Sequence, residues 1–281
     1  MIRIVTDSGA NLPPAIVAKY NIAIVPLRVH IGDQSYREGI EISQERFYQQ
    51  LVDADPLPKT SQPSPAEFEE VYREILEQGD EIVSIHLTSK LSGTYNSARN
   101  AMLALDETRM SVIDSKSASV GMGLLVLAAA RLAEAGRSRE EIVSRVETLA
   151  DDVLLVFTPE TLEYLRKGGR IGAAQAFLGG LLRVKPIIML QDGVVEPSGR
   201  ARSRGKAIEQ LVQMEVDRFG DRPVWVGIAQ AMAEDVDQLE ELARERLKIQ
   251  ELIRAEISPV IATHAGPGVL GIAVLPAPVV E

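Results

Sequence analysis

Apolar residues along the chain alternate between two patterns. Short, nearly continuous runs end in turn residues and read as strands: "IRIVTDS" from Ile2, "EIVSIHL" from Glu81, "MSVIDS" from Met110 and "VLLVFT" from Val153. Between them lie segments whose apolar positions recur every three to four residues, as an α-helix with one buried face requires. These are "NLPPAIVAKY", "SQERFYQQLVDA", "SGTYNSARNAMLAL" and "SREEIVSRVETLADD". "GMGLLVLAAARLAEAG" is apolar on nearly every side and predicts a mostly buried helix. Start signals agree with this reading. Prolines follow Leu12 where a first helical turn tolerates them, and Ser43 stands ready to cap. Ser64-Pro65-Ala66-Glu67 is a capping box with proline at the first helical position, opening a helix to about Glu77. In "IAIVPLRVHI" the strand pattern is interrupted by Pro26, which marks an edge or a bend.

Strands alternating with helices predict an α/β fold with a mostly parallel sheet. The alternation loosens after Thr158. "PETLEYLRKGGRIG" predicts a helix ending in glycines, and Ile171 to Val184 is an apolar stretch containing Gly179-Gly180. "KPIIML" and "QDGVVEPSG" form a hairpin-like pair, and helices are expected from about Ser203 to Phe219 and Glu234 to Lys248. "PVWVGIAQ", "ELIRAEIS" and "VLGIAVL" supply further strands. The expectation is therefore two α/β domains, 1–157 with a mostly parallel sheet and flanking helices, and 158–281 with a mixed sheet.

Composition narrows the function. The 281-residue chain has no cysteine, which excludes disulfides and thiolate metal sites and fits a reducing cytoplasm. Arg3 and Asp7 interrupt what would be the apolar core of a signal peptide, so the first segment reads as a mature strand. The uncharged run from Ala118 to Ala130 ends at Arg131 and is too short to span a bilayer. Net charge is −10, which argues against nucleic acid as a partner. Between Arg166 and Lys206, nine basic residues face only Asp192 and Glu196, a local balance of +7 that leaves −17 elsewhere. Such a segment is either a solvated rim or a docking face for something negative.

The usual catalytic signatures are missing. The sequence holds no G-x-S-x-G elbow, no paired-histidine ligand spacing among His30, His86 and His264, and no Rossmann fingerprint after the first strand. "GRARSRGKA" fails as a phosphate loop: Gly199 and Gly205 are one residue too far apart, and Ala207 stands where a magnesium-binding hydroxyl belongs. What remains are polar groups at strand-to-helix turns, where α/β sheets place their ligands. Thr60 and Ser61 precede a helix that Ser64 already caps. Ser92-Gly93-Thr94 opens the next helix, with free backbone N–H groups for an anion and a glycine that admits close approach. His264 precedes the rigid turn Gly266-Pro267-Gly268, and Arg170 follows a glycine pair. Each has a plain structural reading as a cap or turn. Taken together with the apolar stretch from Ile171 to Val184, they suit a ligand with an acidic head and a long apolar tail.

"TDSGANLPP", "KTSQPSPAEF", "LSGTYNSA", "VIDSKSASVGMG", "YLRKGGRIG", "KPII" and "THAGPGVLG" together resemble the ordered motif set of the bacterial DegV family, from Ile4 to Leu275. The resemblance implies two α/β domains with a lipid between them, binding of a long-chain fatty acid such as palmitate, and no cofactor or metal. It implies that a separate ATP-dependent fatty acid kinase subunit acts on the bound carboxylate and that the chain carries the acyl-phosphate away. No stable membrane insertion is expected, and transient membrane contact stays open. Carried over by motif, the carboxylate hydroxyls are Thr60 and Ser92, helped by Ser61 and the Gly93 and Thr94 turn; His264 and Arg170 orient or neutralise the head; and Arg202 serves the partner. Two other readings stay open: an acyl hydrolase or acyltransferase using Ser92 and His264, and a regulatory module whose basic face docks a protein.

Overall fold

The computed structural model describes residues 1–52, 54, 56–105, 107–178 and 184–277. The first half interleaves β1 (Ile2–Asp7), α1 (Pro14–Lys19), β2 (Ala23–Val25), β3 (Arg28–Ile31), β4 (Gln34–Arg37), α2 (Gln44–Val52), β5 (Lys59–Ser61), α3 (Pro65–Glu77), β6 (Glu81–His86), α4 (Thr94–Ala104) and β7 (Met110–Asp114). Two long helices follow, α5 (Ser119–Glu134) and α6 (Arg139–Asp152). The second half contains β8 (Leu154–Thr158), α7 (Glu163–Lys167), β9 (Lys185–Gln191), β10 (Val194–Ala201), α8 (Arg204–Phe219), β11 (Pro223–Gln230), α9 (Val236–Arg246), β12 (Lys248–Glu256), α10 (Pro259–Ala265) and β13 (Leu270–Pro276).

Two main sheets result. The first is wholly parallel, in the order β2-β1-β6-β7. The second is mixed, in the order β10-β9-β8-β13-β11-β12; only β11 and β12 run parallel. Between the two lies α5, packed against β1 and β6 on one side and β11 and β13 on the other. That position explains its sequence, because every residue from Ser119 to Ala130 is buried and a helix buried all round has no face for charge. The contact is close: a Cβ on Gly227 of β11 would lie 2.8 Å from the Val120 Cβ of α5.

The helix-start signals act as expected. Ser64 Oγ accepts the Glu67 N–H, and the Glu67 carboxylate accepts the Ser64 N–H at 2.8 Å. Ser203 caps α8 through the Lys206 N–H, so this segment is a helix entry and not a phosphate loop. Pro26 separates β2 from β3, and the two belong to different sheets.

Three details of the fold go beyond the sequence reading. The expected boundary after residue 157 falls inside β8, whose residues pair with β13 and β9 and so belong to the mixed sheet. A third, antiparallel sheet, β4-β3-β5, was not legible, and it places Thr60 on a strand. The apolar stretch from Ile171 begins with a short 3₁₀ turn over Gly172–Phe177; it packs on β10, with Phe177 under the Arg200 guanidinium at 4.3 Å. Gly179-Gly180 lie outside the described residues.

Candidate functional site

A cavity opens between the two main sheets, with about 970 Å³ of space not occupied by protein atoms, its mouth included. Its walls are largely aliphatic: Leu87, Leu155, Leu165, Leu190, Val260 and Ile261 come from both halves of the chain. Polar side chains on its surface include Thr60, Gln62, Ser92, Arg170 and His264.

These polar groups are linked in a ring. Thr60 Oγ1 and His264 Nε2 share a hydrogen bond of 2.8 Å. The other face of the imidazole rests on Gly168, where a Cβ would come within 2.2 Å of His264 Nδ1. Arg170 Nη1 donates to the Gly168 carbonyl at 2.8 Å, and its Nε donates to the Leu91 carbonyl at 3.1 Å, immediately before Ser92. The ring closes through Gln62, whose amide nitrogen lies 2.7 Å from where a Cβ on Gly93 would sit. Thr60, Ser92, Arg170 and His264 are thus brought to one end of an apolar cavity, from β5, the turn before α4, the loop after α7 and α10.

The electrostatics favour an anion there. Among the described residues Arg170 forms no ion pair, although it is only partly exposed. An unpaired, half-buried cation is costly unless a negative group joins it. Burial, with the Arg170 charge behind it, lowers the His264 pKa to about 4. The imidazole is therefore neutral at physiological pH, with one nitrogen a donor and the other an acceptor. His264 Nδ1 is buried without a protein partner. Nδ1 packs against Gly168, so the pair serves a ligand in one tautomer: Nε2–H donates to Thr60 and frees the threonine hydroxyl to donate to the ligand.

The remaining expected residues take different places. Ser61 touches the cavity, but adjacent strand residues face opposite ways, and its hydroxyl bonds His30 Nε2 at 2.9 Å. Gly93 and Thr94 are not among the cavity walls. Gln62 covers Gly93, and the buried Thr94 hydroxyl bonds Ser92 Oγ at 2.8 Å. Arg202 is exposed and lies just past β10, without an ion pair among the described residues, whereas Arg204 makes a two-pronged bond to Asp235.

Sequence reasoning missed Gln62 and Ser119, which also borders the cavity and donates to Asn11 Oδ1 at 2.7 Å. It also missed the helix carrying His264. The signal was present: Ser258-Pro259 is the same serine-proline start that was recognised at Ser64-Pro65.

The hydrolase reading finds no support at the cavity. Ser92 Oγ is engaged by Thr94, and His264 by Thr60. A serine–histidine–aspartate chain does exist elsewhere: Ser84 Oγ to His86 Nε2 at 2.7 Å, and His86 Nδ1 to Asp7 Oδ2 at 2.9 Å. All three residues are fully buried, and the Tyr72 hydroxyl bonds Ser84 Oγ at 2.7 Å. That network holds β1 to β6 and offers a substrate no approach.

Among the described residues no group of histidine and acidic side chains is arranged to hold a metal ion, and no helix is long and apolar enough to cross a membrane.

Comparison with known proteins agrees with the fold. Residues 1–277 match the family described as "Uncharacterised protein, DegV family". A DegV domain-containing protein of Streptomyces coelicolor is 40% identical over 278 residues, covering 97% of this chain and 98% of the relative. One from Caldanaerobacter subterraneus subsp. tengcongensis is 38% identical over 274 residues, covering 96% of this chain and 97% of its own. A Thermus thermophilus DegV family protein, solved in a study of its fatty acid binding, superposes with a TM-score of 0.93 at 38% identity, over 98% of this chain and 99% of that one. DegV of Bacillus subtilis, described as a fatty acid binding protein, superposes with a TM-score of 0.88 at 33% identity, over 98% and 99%.

Proposed function

The chain belongs to the DegV family, and on that premise we propose that it binds one long-chain fatty acid, head at the Thr60–His264 end of the cavity and tail along the aliphatic walls. The observation that carries this reading is Arg170: a partly buried cation without a carboxylate partner among the described residues, at the polar end of an otherwise apolar cavity. A fatty-acid carboxylate supplies the missing charge. Thr60, freed by a bond from His264 Nε2–H, supplies hydrogen bonds for its oxygens together with Ser92. Burying the tail contributes about 0.8 kcal/mol per methylene, so the tail provides most of the affinity and the head sets the register. The fatty acid binding described for the Thermus thermophilus and Bacillus subtilis relatives supports this assignment.

The chain acts as a carrier in the cytoplasm. It holds the carboxylate at the cavity mouth for a separate ATP-dependent kinase, and takes away the acyl-phosphate. Exposed Arg202, beside the stacked Arg200, is the group for that partner. Displacement of a fluorescent fatty acid by palmitate tests the binding site. Wild type is expected to bind, and Thr60→Ala combined with Ser92→Ala to stay folded, melting a few degrees lower for the lost bonds to His264 and Thr94, and to lose binding. Equal affinity in the double variant would contradict the assignment.

A further inference from the structure

We propose that Glu38 is a positioning residue for the head-group site: its carboxylate caps the helix that carries His264 and so sets that imidazole against Thr60. The inference rests on the fatty-acid reading above.

Helix α10 begins at Pro259 after Ser258. Ser258 has an N-cap backbone conformation, yet its buried hydroxyl makes no capping bond and lies beside the Glu38 carboxylate. The orphan donor at the helix start is met from elsewhere in the chain. Val260 N–H donates to Glu38 Oε2 at 2.8 Å, across 222 positions of sequence. Glu38 is 2% exposed. Its other oxygen accepts from Ser8 Oγ at 2.5 Å, and Ser8 Oγ in turn accepts the Leu27 N–H at 2.8 Å. Glu38 N–H donates to the Leu27 carbonyl at 3.0 Å. One carboxylate thereby joins the turn after β1, the loop after β4 and the start of α10.

Helix α10 is held at both ends, by Glu38 at Val260 and by Thr60 at His264. Val260 and Ile261 on the same helix line the cavity. A shift at the helix start therefore moves the imidazole and part of the tail wall together.

Ionisation decides how well the clamp works. The carboxylate form accepts from both Ser8 and Val260. The neutral acid can turn an Oε1 proton to the second lone pair of Ser8 Oγ and still accept Val260 N–H through Oε2, but that bond loses its charge assistance. Burial pushes the Glu38 carboxyl up to about 7, against the bonds from Ser8 and Val260. The titratable groups facing it are Asp7 from β1 and Tyr48 from α2; from α10 come only Ser258 and the Val260 N–H. Asp7 raises the Glu38 value further, and burial lifts the Tyr48 phenol above its ordinary range, so Tyr48 stays neutral.

Glu38→Gln keeps the shape and mimics the protonated acid. Palmitate affinity, read by displacement of a fluorescent fatty acid, is compared between wild type and Glu38→Gln at pH 6 and pH 8. Taking the ratio of the two proteins cancels the titration of the fatty acid itself. The variant is expected to bind about tenfold more weakly at pH 8, the loss of one charge-assisted bond, and to match wild type at pH 6. In ligand-free wild type labelled with ¹⁵N-histidine, the His264 ring nitrogens are expected to shift with an inflection near pH 7 that Glu38→Gln lacks. Equal affinities at both pH values, or an equal deficit at both, would overturn the proposal, as would a His264 signal without that inflection. If wild type binds no palmitate at either pH, the fatty-acid reading fails instead, and the His264 signal still decides whether Glu38 positions it.

Discussion

Gly168 lies directly beneath His264: a Cβ at residue 168 would come within 2.2 Å of His264 Nδ1 and within 3.0 Å of the Tyr164 carbonyl. The glycine is not there for its backbone freedom, because its φ of −76° and ψ of −7° suit any residue. It is there to give the imidazole room. Its neighbour Gly169, with φ of +69°, is the one whose conformation favours glycine.

Gly168→Ala therefore separates packing from propensity. Replacing glycine by alanine near a helix end ordinarily stabilises by about 0.4–1 kcal/mol. Overpacking costs about 1–3 kcal/mol, so the collision is expected to win. The variant should melt a few degrees lower and bind palmitate at least about tenfold more weakly, as the imidazole leaves Thr60. Unchanged affinity would show that the imidazole position does not matter to the head group.

His264 predicts a pH dependence of stability. Its folded pKa is depressed to about 4, below the ordinary 6.5. A depressed value means that the unfolded chain takes up a proton first as pH falls. The stability attached to this residue is full above pH 6.5 and declines as pH falls toward 4, by up to about 3 kcal/mol. Denaturant titrations at pH 7 and pH 4.5 should show a smaller loss in His264→Gln than in wild type. Parallel losses in the two proteins would contradict the assignment.

Glu215 predicts the opposite slope. Both of its carboxylate oxygens are buried in α8 without a hydrogen-bond partner, and burial raises its pKa well above 4.5 despite Arg218 nearby. The folded chain then favours the neutral acid, and stability is lost as pH rises past the unfolded value. Glu215→Gln removes only the ionisation. It is expected to gain stability over wild type between pH 5 and pH 8, by about 1–3 kcal/mol at the upper end. A melting-temperature difference that does not grow with pH would contradict this.

Local signals carried most of the fold. The capping box at Ser64, the helix from about Ser203 and the apolar α5 were legible because each depends on residues within one turn or one helix. The three-residue strand β5 was not, because its pairing with β3 joins residues some thirty positions apart. The site followed the same division. Thr60, Ser92, Arg170 and His264 stood out as polar groups in turn-like settings and do meet at the cavity. Their order around the head group was not legible, and neither were Gln62 over Gly93 or Ser61 turned to His30. Those placements are made by tertiary contacts between distant segments.

Arg202 offers a way to separate carrying from presentation. Arg202→Glu lies outside the cavity lining and should leave bound fatty acid unchanged. With a fatty acid kinase subunit and ATP, acyl-phosphate formation on this variant should fall at least about tenfold, as expected when charge reversal puts like charges across an interface. Full turnover would place the partner surface elsewhere.

The central claim is that the cavity holds a fatty acid with its carboxylate beside Arg170. Mass spectrometry of the purified protein, first native and then denatured, tests it most directly. The prediction is a native mass exceeding the chain by one long-chain fatty acid, released on denaturation in a one-to-one ratio. A native mass equal to the chain alone, in a protein that takes up no added fatty acid, would contradict it.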